Sequence, residues 1–246
     1  MTPLLYLHSA SGESFQWMEL LNGLAEHHEL HAPLHPGFFG SPGIEEIRDI
    51  EDLVFHYLAF MDEQGWEQVD VMGCSLGGWI AFELAARYPD RVSRLVVAAS
   101  AGIRLPDVPM ADMFRLQIGQ EDEARALMFH DPSHPMAQLV IPTFEGIDDE
   151  TLGAFVAAMA ATAKVSWNPY LHDPRLEPLL PNVSADTLIV WGDDDRLIPP
   201  AYGERLAELI PNARLEVIED CGHVIWFEKP DELLGLALEH LGAVRA

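Results

Sequence analysis

Val69-Asp70-Val71-Met72-Gly73-Cys74-Ser75-Leu76-Gly77-Gly78 is the stretch that decides how this chain is read. An apolar run meets a G-x-S-x-G turn, and from Leu76 the apolar residues recur with helical spacing, so the segment reads as strand, tight turn and helix. A serine on so tight a turn is held in a strained backbone conformation. The glycines around it keep neighbouring side chains from clashing with the strand and helix. Ser75 would occupy the same place if it only capped the following helix. At a helix N-terminus, however, the Leu76 N–H and the helix dipole also favour a developing anion, which gives the serine a chemical reading.

Working outward, apolar runs at 4–7, 30–34, 68–72, 94–99, 187–191 and 214–219 are each bounded by Gly, Pro or Asp, as expected of strands covered on both faces. Helical patterns separate them at 15–26, 45–63, 76–87, 202–209 and 231–241, the last opened by Pro230 and Asp231. Strands alternating with helices predict an α/β fold with a mainly parallel, doubly wound sheet of about six strands. The alternation fails once. Between 101 and 185 helical patterns at 107–116, 121–129 and 149–163 replace strands, broken by Pro132, Pro135, Pro142 and Gly146. This stretch reads as a helical cap inserted over a core made of 1–100 and 186–246. The 149–163 segment is apolar on most faces, which suits a packed core helix or the wall of a substrate pocket.

The 246 residues carry 40 Asp plus Glu against 14 Lys plus Arg, a formal charge of −26. Such a chain would be repelled by nucleic acid and by an anionic membrane surface. Most of the carboxylates fall on helix faces and loops such as Glu121-Asp122-Glu123, and with only two lysines, Lys164 and Lys229, this acidic shell points to a high-salt setting. The N-terminus has no basic region or long apolar run, and the two cysteines, Cys74 and Cys221, make no disulfide framework. A cytoplasmic location is the expectation. A Cys74–Cys221 bridge is geometrically conceivable. His27, His28 and His31 lie close together but lack a carboxylate completing a zinc pattern, so no metal is expected. His130 and His134 sit in a Pro-broken loop and read as surface residues.

Two further stretches place chemistry at the edge of the sheet where Ser75 lies. Trp191-Gly192-Asp193-Asp194-Asp195-Arg196-Leu197-Ile198-Pro199 follows one strand, and Glu219-Asp220-Cys221-Gly222-His223 follows the last. In an open α/β sheet, sites form outside the carboxyl ends of strands. The residues resemble the α/β-hydrolase family over essentially the whole chain, in the order Ser…Asp…His. The resemblance implies a cofactor-free serine hydrolase in which Ser75 is the nucleophile, His223 the general base and Asp195 the orienting carboxylate. Asp195 is selected by the family's Trp-Gly-x-x-Asp-x-x-x-Pro pattern. Repulsion among the three aspartates says only that at most one turns inward, with Asp194 as the alternative and Asp193 and Asp194 otherwise solvated.

The family's oxyanion loop usually reads His-Gly-x. Here it is His8-Ser9-Ala10, which implies Leu76 and Ala10 as the two N–H donors and His8 as a structural hydrogen-bonding residue. Pro36-Gly37-Phe38-Phe39-Gly40-Ser41 reads as a displaced family turn serving loop packing. Trp79, Met113, Trp167 and Trp226 are expected to line an apolar substrate cleft, with Met110 and Phe114 as further candidates. The leading reading is hydrolysis of small carboxylic esters by a monomer or homodimer. The second is C–C bond hydrolysis of ring-cleavage products, suggested by Cys221-Gly222-His223 and by 211–215. The third is a ligand receptor on the same scaffold, since fold alone does not separate the three.

Overall fold

A computed structural model of the chain describes residues 2–13, 18–115 and 119–242. The apolar runs become β1 (Leu4–Leu7), β2 (Leu30–His31), β3 (Val69–Cys74), β4 (Val92–Ala98), β5 (Asp186–Gly192) and β6 (Ala213–Ile218), joined in one sheet in the order β2-β1-β3-β4-β5-β6. Every neighbouring pair is parallel, as the strand–helix alternation predicts.

The helices are α1 (Glu19–His27), α2 (Ile50–Glu63), α3 (Leu76–Arg87), α4 (Glu121–Met128), α5 (Pro135–Val140), α6 (Asp149–Ser166), α7 (Ala201–Leu209), α8 (Ile225–Glu228) and α9 (Pro230–Leu241). Strand side chains alternate between two cores, which is why the central runs are largely apolar on both faces. Leu5, Leu7, Val71, Val97, Ile189 and Trp191 pack with α2, α3 and α7 on one face. Leu4, Tyr6, Met72, Val96, Leu188 and Val190 pack with α1, α8 and α9 on the other.

Several boundaries differ from the sequence reading, each for a local reason. β2 pairs only Leu30 and His31 with β1, so it is a short edge strand. The 45–63 helix is split, because the Asp49 side chain accepts from the Glu51 and Asp52 N–H groups at 3.0 and 3.2 Å and starts α2 afresh. Of 107–116, the described part holds only one turn of 3₁₀ helix, Met113–Arg115. Pro109, which has no N–H to give, precedes it. α5 was missed by periodicity: Pro135 opens it, and His134 Nδ1 accepts the Met136 N–H at 3.2 Å. The part of the predicted 15–26 helix at 15–17 lies outside the described residues.

The insertion leaves and rejoins the core at one place. Gly102 N–H donates to the Leu171 carbonyl at 2.9 Å, and Asp173 N–H to the Gly102 carbonyl at 3.1 Å. Past that bridge, Leu176, Leu180 and Val183 are buried in the same core as α3. Residues beyond 173 therefore pack with the sheet layer rather than over it. Among the described residues no helix is long and apolar enough to cross a membrane.

Candidate active site

The turn between β3 and α3 forces Ser75 to φ +51°, ψ −109°, a region that L-residues rarely occupy. Its surroundings leave no choice of neighbour. A Cβ on Gly77 would stand 1.9 Å from the Leu7 carbonyl oxygen, and one on Gly73 would stand 2.4 Å from that of Gly77. The turn is held by Ser75 N–H donating to the Ala98 carbonyl at 2.9 Å. Its hydroxyl lies 2.9 Å from His223 Nε2.

His223 Nδ1 lies 2.8 Å from Asp195 Oδ2, and both side chains are buried. The other Asp195 oxygen accepts the Leu197 and Ile198 N–H groups at 3.0 and 2.8 Å. A carboxylate that accepts on both oxygens requires the imidazole proton on Nδ1, which leaves Nε2 as acceptor for the Ser75 hydroxyl. The three side chains thus form one hydrogen-bonded chain running from the surface of the cavity into the core.

Asp193 is an exposed loop carboxylate, as expected, whereas Asp194 is half-buried in ion pairs. Asp193 accepts the Cys221 N–H at 3.2 Å, while Asp194 pairs with Arg196 and with His130 Nδ1, the latter at 2.9 Å. Arg196 also reaches the Ala126 carbonyl of α4 at 2.7 Å, and the Met128 carbonyl receives the His223 and Val224 N–H groups at 2.8 and 3.2 Å. His130 is therefore part of a joint between the helical insertion and the loops that carry Asp195 and His223, a role its place in a Pro-broken loop did not disclose.

The loop after β1 is fastened on two sides. His8 Nε2 accepts the His35 N–H at 2.8 Å, so its proton sits on Nδ1, which donates to the Ser9 carbonyl at 2.6 Å. His35 Nε2 donates to the His8 carbonyl at 2.8 Å, and Nδ1 faces the Tyr57 hydroxyl. Burial pushes His8 down to about 4 and His35 in the same direction, so both rings are neutral. On the other side lies Glu13, which is 4 % exposed and whose carboxyl is pushed up by burial. Among the described residues, neither the Leu76 nor the Ala10 N–H donates within the protein.

Ser75, Leu76, Ala10 and His223 all border one cavity of about 470 Å³ between the sheet edge and the cap. Of the four expected lining residues, Met113 and Trp226 border it and Trp79 and Trp167 do not. Trp79 is turned into the core, where its Nε1 donates to Glu83 Oε1 at 3.1 Å, one turn along α3. Trp167 is 59 % exposed against Phe114. Sequence reading missed Phe39, Val140, Phe144, Phe155 and Met159, which do line the cavity. For Phe155 and Met159 the signal was that α6 carries apolar residues on most of its faces; Phe39, Val140 and Phe144 lie outside that helix.

Among the described residues no Arg or Lys borders the cavity, although Glu13, Glu121 and Glu150 do. No three His, Cys, Asp or Glu side chains among those residues gather as a metal-binding set. Cys74 and Cys221 are both buried and unbridged. Burial raises both thiols, and Cys74 Sγ lies 3.4 Å from the Tyr6 hydroxyl oxygen.

Known proteins resemble the chain in sequence and in fold. The chain is 30 % identical over 193 residues to a 2-hydroxy-6-oxo-6-phenylhexa-2,4-dienoate hydrolase of Comamonas testosteroni, covering 74 % of this chain and 65 % of that protein. Its fold matches a membrane phospholipase A with a TM-score of 0.80 and 25 % identity, over 100 % of this chain and 80 % of the other. It matches a meta-cleavage product hydrolase with a TM-score of 0.79 and 24 % identity, over 99 % and 92 %, a likeness of fold alone. The alpha/beta hydrolase family profile matches residues 4–236, and with the parallel sheet and the strained serine turn in place, the chain belongs to that family.

Proposed function

We propose that the protein is a serine hydrolase of carboxylic esters with neutral, apolar acyl groups. The observation that carries this reading is the cavity beside Ser75, which is walled by apolar side chains and bordered by no cation among the described residues. An apolar acyl chain gains by entering such a space. A carboxylate entering it would lose its hydration without a partner, at a cost of several kcal/mol, and would meet the cavity's own glutamates.

In this reading His223 Nε2 takes the Ser75 proton as the oxygen attacks the ester carbonyl. The Leu76 and Ala10 N–H groups receive the oxyanion, a role for which each such donor contributes about 10²–10³ in rate. Asp195 stabilises the imidazolium, which then protonates the departing alcohol. A water activated by the same imidazole hydrolyses the acyl-enzyme.

The second reading, C–C bond hydrolysis of a dienoate, draws its support from the hydrolases the chain resembles. Those substrates are carboxylates by name, and the chain spans 65 % of the length of the first of these relatives. The test compares p-nitrophenyl butyrate and octanoate with a 2-hydroxy-6-oxodienoate, using wild type and Ser75→Ala. Ser75-dependent turnover of the esters with a kcat/KM well above that for the dienoate is expected. The reverse preference would replace the ester reading with the second.

A further inference from the structure

We propose that Glu13 is a positioning residue for the oxyanion loop, which holds Ser9 so that the Ala10 N–H is left for the substrate. The assignment rests on the acyl-transfer reading of Ser75 given above. Gly12, at φ +64°, turns the chain back beneath the loop, a turn with no room for a side chain: a Cβ there would stand 2.3 Å from Phe39 Cε2. Glu13 is thereby brought under Ser9, where both of its oxygens are used. Oε1 accepts the Ser9 N–H at 2.7 Å and the Tyr6 hydroxyl at 3.1 Å, and Oε2 accepts the Ser9 hydroxyl at 2.6 Å.

The Ser9 oxygen in turn accepts the Ser11 N–H at 3.1 Å, and the Ser9 carbonyl accepts the Gly12 N–H at 3.1 Å and His8 Nδ1–H. Every polar group of Ser9 is thus committed, and the next N–H along the chain is the one without a partner among the described residues. A loop whose usual glycine is replaced by serine has acquired a side chain, and Glu13 is the group that uses it. Glu13 makes no ion pair among the described residues and borders the cavity.

A donor placed for the oxyanion matters only as charge develops in the transition state, so loosening it lowers kcat and leaves KM largely unchanged. Glu13→Ala is expected to lower kcat for p-nitrophenyl butyrate by about 10–100-fold with KM within about threefold. It should also slow labelling of Ser75 by a fluorophosphonate to a similar extent. Glu13→Gln keeps an acceptor for the Ser9 N–H and an amide for its hydroxyl, and is expected to recover activity to within about fivefold of wild type. The fraction of sites that eventually label is measured for each variant, so that unfolded protein is not counted as slow protein.

If wild type labels at Ser75 and Glu13→Ala labels as fast, the Glu13 assignment alone is overturned. It is overturned as well if the loss lies in KM or in the fraction of sites. If wild type does not label at all, the acyl-transfer reading falls and takes Glu13 with it. Should Glu13→Ala fail to fold, Ser9→Ala removes one of the three bonds to the carboxyl, and an unchanged kcat in that variant overturns the proposal in the same way.

Discussion

Lowering the pH should expose how much of the fold rests on His8 being neutral. Its ring is buried with both nitrogens committed, and it titrates near 4 in the folded protein against 6.5 in an unfolded chain. Below 6.5 the unfolded chain takes up a proton that the folded one refuses. The stability this histidine contributes is therefore complete above 6.5 and is lost as the pH falls toward 4. Between pH 7.5 and 4.5 the loss comes to about 2.5 kcal/mol, from ~1.4 kcal/mol for each pH unit of separation. Acidic groups titrate over the same range, so the assay is a double difference. Urea midpoints of wild type and His8→Gln are measured at both pH values. Gln offers an oxygen to the His35 N–H but leaves the Ser9 carbonyl without its donor, which should cost about 1–3 kcal/mol at pH 7.5. At pH 4.5 the gap should shrink by about 2.5 kcal/mol and close or reverse. A gap that stays the same within about 0.5 kcal/mol would refute the argument that burial keeps this ring neutral.

The elbow offers a cleaner separation of strain from chemistry. Ser75→Ala and Ser75→Gly should both abolish turnover, but only glycine adopts φ +51° freely, so Ser75→Gly should be the more stable of the two by about 1 kcal/mol in thermal unfolding. Equal stabilities would mean that the turn is not strained. Asp195→Asn should lower kcat by about 10³–10⁴-fold with little change in KM, because the imidazole loses the group that fixes its tautomer. Asp194→Asn breaks pairs with His130 and Arg196 at the cap joint and should lower kcat by less than about tenfold. Steady-state kinetics on one ester decides between the two carboxylates. Gly77→Ala puts a methyl 1.9 Å from the Leu7 carbonyl oxygen and should destabilise by more than about 3 kcal/mol, read as a fall in soluble expression and in the unfolding midpoint.

What was legible in advance was whatever is encoded within a few residues. The central strands show themselves because their runs of apolar residues serve two cores at once, and the serine turn because its glycines have no alternative. Tertiary geometry is a different matter. Trp79 looked like a pocket residue because it follows the serine closely, yet Glu83 lies four residues along the same helix and draws the indole into the core. That pairing was readable from the spacing. The α6 lining was not, since an all-round apolar helix does not say which face meets an empty space. Glu13 was less legible still. Its meaning depends on Gly12 reversing the chain and on Tyr6 reaching in from β1, and neither is a pattern in the sequence. The choice of Asp195 needed the family pattern, because three consecutive carboxylates have no internal distinction until the Leu197 and Ile198 N–H groups close on one of them.

The excess of carboxylates acts on the substrate at two distances, and the two respond differently to salt. The formal charge of −26 belongs mostly to exposed side chains, and its field is screened within ~10 Å at 0.1 M salt. Raising the salt therefore removes most of the penalty an anion meets on approach. Inside the cavity the penalty has another origin: an anion there gives up water and finds apolar walls and glutamates, and bulk ions do not replace what it lost. A preference for neutral over anionic esters that vanished in molar salt would belong to the surface alone. One that persisted would belong to the cavity, and it is this persistent part that the apolar walls around Ser75 lead us to expect. The distinction bears on the choice between esters and dienoates, because it allows selection by the site to be separated from selection by the shell around it.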